Sequence, residues 1–149
     1  MTSHPQYPEY SLSDNKQLLD TSFIHRFLSQ EAYWSKGKTE ASVQQSIDHS
    51  ICFGLYHEGQ QAGFARVISD QTDFAYLLDV FIDYPHRNKG LSKWLLQHIL
   101  SDDRFATCKF MLATTDAHGL YNQLGFEPVV FHEKFMERKK QVPVVRESQ

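Results

Sequence analysis

The sequence predicts a single α/β domain in which a mixed β-sheet carries helices on both faces. The chain has 149 residues, a length at which one domain is the usual outcome. Three strand-like patterns follow one another between Ile51 and Ile82, and helical patterns come before and after them. We therefore expect residues 1–149 to form one domain, with a loose arm at residues 1–8 and a tail at residues 139–149.

The first half of the chain predicts one short strand and two helices. Tyr10 to Ser13 has the pattern of a short strand. Apolar residues from Phe23 to Leu28 recur at helical spacing, and a weaker helical pattern runs from about Thr39 to His49. These helices are the candidates for one face of the sheet.

Three consecutive strands are predicted next. Apolar residues alternate from Ile51 to Leu55, and Gly63 to Ser69 forms the second strand after a turn. The third strand, Phe74 to Ile82, is apolar at the positions facing either side of the sheet, except at Asp79. A strand with this pattern is expected at the centre of a sheet that is covered on both faces.

The last part of the chain predicts a helix, a strand, a short helix and further strands. An apolar stripe begins at Leu91 and marks an amphipathic helix. The elements expected after it are a strand at Lys109 to Ala113, a helix at Ala117 to Leu124, a strand at Glu127 to Phe131 and a short strand around Phe135 and Met136.

Composition and charge argue against two classes of partner. The formal net charge is −3, and no basic stripe suggests nucleic acid. No apolar run approaches the roughly 18 residues that a membrane-spanning helix needs. Two well-separated cysteines and an N-terminus unlike a signal peptide favour the cytoplasm.

The segment DVFIDYPHRNKGLSKWLL, from Asp79 to Leu96, joins the central strand to the amphipathic helix through a basic turn. Backbone amides at a helix N-terminus lack intrahelical partners, and the helix dipole is positive there. Gly90 lets the backbone approach a ligand, and Arg87 and Lys89 add positive charge. The turn is therefore a candidate site for a pyrophosphate, although a plain strand-to-helix corner gives the same spacing.

Two motifs resemble the GNAT family of N-acetyltransferases. Arg87-Asn88-Lys89-Gly90-Leu91-Ser92 is similar to the family's Gln/Arg-x-x-Gly-x-Gly/Ala motif for binding acyl-CoA, with Ser92 replacing the last small residue. Tyr121 followed by Gly125-Phe126 is similar to a second family signature. The resemblance covers about Tyr10 to Val130.

The resemblance implies a mostly antiparallel sheet whose central strands splay apart to admit acetyl-CoA. It implies that the pyrophosphate of CoA lies on the amides of Arg87 to Ser92. The pantetheine arm would lie along Val80, Phe81 and Ile82, where a backbone N–H faces the thioester carbonyl. An amine would then attack the thioester directly, without a covalent enzyme intermediate.

Three residues are candidates for proton transfer. Tyr121 matches the family position of the acid that protonates the leaving thiolate, although a packed aromatic ring is the alternative. Asp79 is an ionisable group in an apolar strand, either as a general base or as a satisfied structural carboxylate. His118, beside Asp116, is the second candidate base, with a helix-capping pair as the alternative.

The acceptor pocket is expected to use the early helices and the loop between them. Tyr33 and Trp34 are candidates to cover the acceptor, and Arg66 is a third substrate-binding candidate whose partner is either an acidic acceptor or Asp79. The function expected is acetyl transfer from acetyl-CoA to a primary amine of a small molecule. A peptide lysine acetyltransferase and a non-catalytic acyl-CoA sensor are the alternatives.

No metal site is expected, because the histidines lack ligand spacing with carboxylates or thiols. A homodimer, paired through a sheet edge or the end of the chain, is a further expectation from the resemblance.

Overall fold

A six-stranded sheet organises the first of two units in this computed structural model, which describes residues 1–31 and 37–140. The units are Met1–Ala113 and Thr114–Gln149. The strands are β1 (Thr2–Ser3), β2 (Tyr10–Ser13), β3 (Ile51–His57), β4 (Gln60–Ser69), β5 (Phe74–Ile82) and β6 (Lys109–Met111). The expectation of one domain over residues 1–149 stays a prediction.

The sheet follows the order of the chain. Neighbouring strands lie in the order β1-β2-β3-β4-β5-β6, and every pair is antiparallel except β5 with β6, which is parallel. The chain reaches β6 from β5 through a helix, as a parallel connection requires. This mixed, mostly antiparallel sheet confirms the predicted fold class.

The N-terminal arm was predicted to be loose, and this prediction was wrong for its first residues. Thr2 pairs with Leu12 and Ser3 with Ser11, so the arm adds β1 to the sheet edge. The imidazole Nδ1 of His4 also accepts hydrogen bonds from the amides of Gln6 and Tyr7. A strand of two residues has no sequence periodicity, which is why only pairing reveals it.

Two helices cover one face of the sheet. Helix α1 (Thr21–Arg26) begins at Asp20, whose carboxylate accepts from the amide of Phe23, and continues as a π-helical turn at Phe27–Glu31. Helix α2 (Glu40–Asp48) begins at Thr39, whose hydroxyl accepts from Ser42. Their apolar side chains form one core with sheet residues; its members are Phe23, Ile24, Phe27, Leu28, Val43, Ile47, Cys52, Phe64 and Phe81.

Helix α3 (Leu91–Leu100) lies on the opposite face. Its buried residues are Leu91, Leu95, Leu96 and Ile99, as the predicted apolar stripe required. Its His98 contacts the ring of Phe53, whose neighbour Cys52 packs with α1 and α2. Successive strand residues point to opposite faces, so the sheet carries helices on both of them.

In the second unit, the described residues form helix α4 (His118–Gln123) and a 3₁₀ turn at His132–Lys134. The strands predicted at Glu127 to Phe131 and around Phe135 and Met136 do not form within the described residues, so these predictions were wrong. Pro128 removes one strand donor, and the side chains of Val130 and Met136 are 75% and 95% exposed. β-propensity reflects packing on neighbouring strands, which this segment lacks here.

Candidate active site

One edge of β5 opens partway along the strand. β5 pairs with β4 up to Gly63 and Ile82, but its parallel register with β6 covers only Phe74, Ala75 and Tyr76. From Leu77 to Ile82 the edge that faces β6 lies beyond that register. This open edge contains Val80, Phe81 and Ile82, the residues expected to pair with a pantetheine arm.

The loop between β5 and α3 is shaped by two left-handed residues. Asp83 begins a 3₁₀ turn at Tyr84–His86 by accepting from the amide of Tyr84. Asn88 and Gly90 then adopt φ values of +64° and +72°. The left-handed region favours glycine and tolerates asparagine, so the loop uses suitable residues at both positions.

The N-terminus of α3 is available to an anion. Gly90 is the cap residue and supplies no side-chain hydrogen bond to the first turn. A Cβ atom at Gly90 would meet no heavy atom within 4 Å, so space lies directly over the backbone. Amides at the start of a helix lack intrahelical partners, and together with the positive helix end and the open space they fit a pyrophosphate group.

Arg87 is already engaged within this loop. Its Nε donates to the carbonyl oxygen of Ile82 over 2.9 Å, and its guanidinium carbon lies 3.8 Å from the ring centroid of Tyr84. Its backbone amide donates to the carbonyl of Tyr84. The amides left for an anion therefore begin at Asn88, and Arg87 fixes the loop to the end of β5 while its side chain stays exposed.

Asp79 and Arg66 form a buried ion pair. Arg66 Nε donates to Asp79 Oδ2 over 2.9 Å, and Arg66 Nη1 donates to Ser50 Oγ over 2.9 Å. The three residues are 6%, 6% and 8% exposed for Arg66, Asp79 and Ser50. This pairing favours the structural alternative for Asp79 over a general base, and it gives Arg66 an internal partner instead of an acceptor.

Tyr121 lies on α4 in the second unit. Its ring makes an edge contact with Phe126, with centroids 5.6 Å apart, and its carbonyl accepts from the amide of Phe126. Burial raises the pKa of Tyr121, and the negative charge of Asp116 raises it further. The phenol therefore stays protonated at neutral pH, as a proton donor must.

His118 is exposed at the first position of α4. The cap residue of this helix is Ala117, whose amide donates to Thr114 Oγ1, and no side chain caps the helix. The capping alternative for Asp116 and His118 is therefore not seen. Tyr33 and Trp34 lie outside the described residues.

A polar groove lies beside the end of β5. Its volume is about 600 Å³, within the range of small-ligand sites. The groove is lined by side chains of both charges, including Asp20, Arg26, His57, Gln61, Asp83 and His86. It borders the β3–β4 hairpin, and this mixture of charges does not select a ligand.

Two searches gave negative results in the described parts of the chain. Residues 1–31 and 37–140 contain no cluster of three His, Cys, Asp or Glu side chains suited to a metal ion. Within the same residues, no helix has the length and apolar character needed to cross a bilayer.

Sequence reasoning missed two contributors to this region. Ser50 was not singled out, although it precedes β3 and its hydroxyl orients Arg66. Tyr10 was assigned only to a strand, yet its hydroxyl reaches His86 at the start of the loop. The available signal for Ser50 was the presence of Arg66 in an apolar strand, because a buried guanidinium needs several acceptors.

Comparisons with known proteins agree with this geometry. A family model described as an acetyltransferase (GNAT) domain matches residues 48–128. A curated Gibberella zeae protein, described as a candidate acetyltransferase, is 31% identical over 137 residues, covering 77% of each chain.

Solved structures extend the comparison. A candidate GNAT-family acetyltransferase from Xanthomonas campestris is 46% identical, with a TM-score of 0.86 over 89% of this chain and 94% of that one. Glucosamine-6-phosphate N-acetyltransferase from Arabidopsis thaliana shares the fold alone, at 16% identity and a TM-score of 0.60 over 88% of this chain and 97% of that one. The family model, the motif around Gly90 and the opened β5 edge lead to one conclusion: the chain belongs to the GNAT family of acetyltransferases and is an acyltransferase.

Proposed function

We propose that this protein transfers the acetyl group of acetyl-CoA to a primary amine of a small molecule. The observation that carries the proposal is the continuity between the open edge of β5 and the N-terminus of α3. Together they offer strand-type hydrogen bonds for an extended amide chain and helix amides for a pyrophosphate. When bound, acetyl-CoA supplies the activated thioester.

The loop residues Asn88 to Ser92 hold the pyrophosphate in this proposal, with Lys89 adding charge. Gly90 keeps the approach free of a Cβ atom. Arg87 supports the loop through its bond to Ile82 and also contributes positive charge. Val80, Phe81 and Ile82 orient the pantetheine arm, and a backbone N–H at this edge donates to the carbonyl oxygen on which negative charge develops.

Proton transfer is assigned to the second unit. Tyr121 donates a proton to the leaving thiolate, a role supported by the family motif and by its raised pKa. His118 is the proposed base for the ammonium form of the acceptor, because it is exposed and free of a capping role. Asp79 is not used as a base, since its carboxylate is bound by Arg66.

The acceptor is proposed to be a small amine, with Tyr33 and Trp34 contributing to its pocket. A peptide lysine is the alternative within the same chemistry. We also propose that the protein forms a homodimer. Size-exclusion chromatography with light scattering tests this against the 17.4 kDa mass of one chain.

The test is release of CoA from acetyl-CoA in the presence of polyamines, amino acids, aminoglycosides or lysine peptides. We expect acceptor-dependent thiol release with a small amine. Release only with lysine peptides would mean that the acceptor is a peptide lysine and not a small amine. Calorimetric binding of acetyl-CoA with no release across the panel would favour the sensor alternative.

A further inference from the structure

Strand β5 contains a bulge at its centre. Phe64 pairs with Phe81 and Arg66 pairs with Leu78, so the single residue Ala65 faces both Asp79 and Val80. An extra residue in one strand bends it and redirects its backbone groups. This bulge lies in the part of β5 whose other edge is open.

The first residue of the bulge has a left-handed backbone conformation, which costs more for a residue with a Cβ atom than for glycine. Asp79 has φ +55°, and the other non-glycine residues with positive φ among those described, Glu58, Gln71 and Asn88, lie in turns or in the loop. Bulges of this geometry usually place glycine at that position, because a Cβ atom is disfavoured there. Backbone preference alone favours glycine at this position, so the contacts of the Asp79 side chain are the place to look for what stabilises the conformation.

The ion pair supplies that constraint. Arg66 is the β4 residue next to the register shift. Its Nε donates to Asp79 across the two strands, and its Nη1 donates to the hydroxyl of Ser50. A buried ion pair adds little net stability compared with apolar side chains, and in some proteins its role is to select one conformation. We name these three residues the Ser50–Arg66–Asp79 clamp.

We propose that the Ser50–Arg66–Asp79 clamp holds the left-handed conformation of Asp79 and thereby positions the backbone amide of Val80 at the open edge of β5. The inference rests on the proposed function, in which that edge donates to the thioester carbonyl. An amide fixed in advance needs no reorganisation as charge develops on the oxygen. The clamp residues are thus positioning residues, and their loss lowers kcat more than it weakens binding.

The sharpest test removes the ion pair and varies only the backbone preference at position 79. Arg66→Met/Asp79→Gly and Arg66→Met/Asp79→Ala both lack the charges, so neither leaves a buried guanidinium unpaired. They differ by one Cβ atom, which disfavours the left-handed conformation only in the alanine variant. We expect the glycine variant to exceed the alanine variant in kcat by about five- to thirty-fold, with the dissociation constant for CoA within threefold in both.

NMR backbone chemical shifts of residues 78–80 report the conformation of residue 79 without any substrate. We expect left-handed shifts in the wild type and the glycine variant, and extended shifts in the alanine variant. If the alanine variant keeps the left-handed conformation, the Ser50–Arg66–Asp79 clamp is not what holds it, and the inference is wrong. Equal kcat in the two variants, despite different shifts, overturns the positioning role.

Two controls distinguish the clamp from a general effect of backbone strain and from a general-base role of Asp79. Gln71→Gly and Gln71→Ala repeat the glycine–alanine comparison at another left-handed residue, in the exposed β4–β5 turn, and should change thermal stability without changing kcat.

Asp79→Asn keeps an oxygen for Arg66 and tolerates the left-handed region, so it should retain at least a tenth of kcat. A loss beyond a thousandfold, with disappearance of the acidic limb of the pH profile, would make Asp79 the general base and overturn the inference. If the wild type releases no CoA with any amine, the proposed function fails, and the shifts alone then decide whether the clamp sets the bulge.

Discussion

The hydroxyl of Tyr10 lies 2.7 Å from Nδ1 of His86, and this contact joins strand β2 to the loop before α3. Tyr10 is 2% exposed, and the ring of His57 lies 4.7 Å from that of Tyr10 and 5.0 Å from that of His86. Two imidazoles and a phenol therefore form a small cluster at the start of the loop before α3.

This cluster predicts acid sensitivity. The pKa of His86 is lowered, and burial is the largest cause. The neighbouring charges of His57 and Lys89 lower it further, whereas the charge of Asp83 raises it. Because the pKa in the folded state lies below the ordinary value of about 6.5, the stabilisation is complete above that pH and is lost as pH falls through the lowered value. We expect the Tm of the wild type to fall below about pH 6.5.

Thermal melts from pH 8 to pH 5.5 test this expectation. His86→Gln should flatten the acidic decline, whereas His132→Gln, which changes a ring with 85% exposure, should leave it unchanged. Identical declines for the wild type and His86→Gln would exclude His86 as the source.

Gly90 and Gly59 offer a matched test of the anion site. Both have positive φ, +72° and +84°, and neither would bring a new Cβ atom within 4 Å of another heavy atom. Substitution by alanine should therefore lower the free energy of unfolding by about 1 kcal/mol at either position. Only Gly90→Ala places a methyl group at the proposed pyrophosphate cradle, so only this variant should weaken CoA binding, by about tenfold or more.

Isothermal titration calorimetry with CoA provides the measurement. Gly59→Ala, in the β3–β4 hairpin, is the control for strain without site disturbance. Equal CoA affinity in the two variants would argue against pyrophosphate binding at Gly90.

Tyr121→Phe tests the proposed acid. The substitution keeps the ring contact with Phe126 and removes only the hydroxyl. We expect kcat to fall by about 10²- to 10⁴-fold while the affinity for CoA changes little. Since burial and Asp116 raise the pKa of Tyr121, wild-type activity should show no loss due to this group below about pH 10.

Steady-state kinetics and calorimetry on the same preparation check this prediction. Phe126→Leu serves as the control, because it disturbs the packing of the ring but keeps the hydroxyl. A kcat for Tyr121→Phe within threefold of the wild type would remove Tyr121 from the acid role.

Tyr56 predicts a stabilising substitution. Its side chain is 2% exposed, burial raises its pKa to about 12, and its hydroxyl has no hydrogen-bond partner within the described residues. A buried hydroxyl without a partner costs about 1–3 kcal/mol. Tyr56→Phe should therefore raise the free energy of unfolding by about 1 kcal/mol.

Urea denaturation measures this change. Tyr10→Phe is the matched control, since it removes a hydroxyl that is hydrogen-bonded to His86 and should lower stability by about 1 kcal/mol. A decrease for both variants would mean that the Tyr56 hydroxyl has a partner in solution.

The sequence by itself determined the order of the elements from β2 to α4 and the place of the basic turn before α3. Strand Phe74–Ile82 occurs as its apolar pattern predicted, and helix α3 begins at Leu91, directly after the left-handed Gly90. These features depend on local periodicity and on the backbone freedom of glycine, and both can be recognised from neighbouring residues.

Only the tertiary structure identified the partner of Asp79. The sequence left it as a base or a structural carboxylate, and the β4–β5 register brings it to Arg66, thirteen residues away. Pairing between distant residues also produced β1. The segment around Val130 and Met136 has exposed side chains and, among the described residues, no strand to pack on, so it forms no strand. Such outcomes depend on which distant groups meet, because a buried charge or a strand edge is stabilised by its partner and not by its own sequence neighbours.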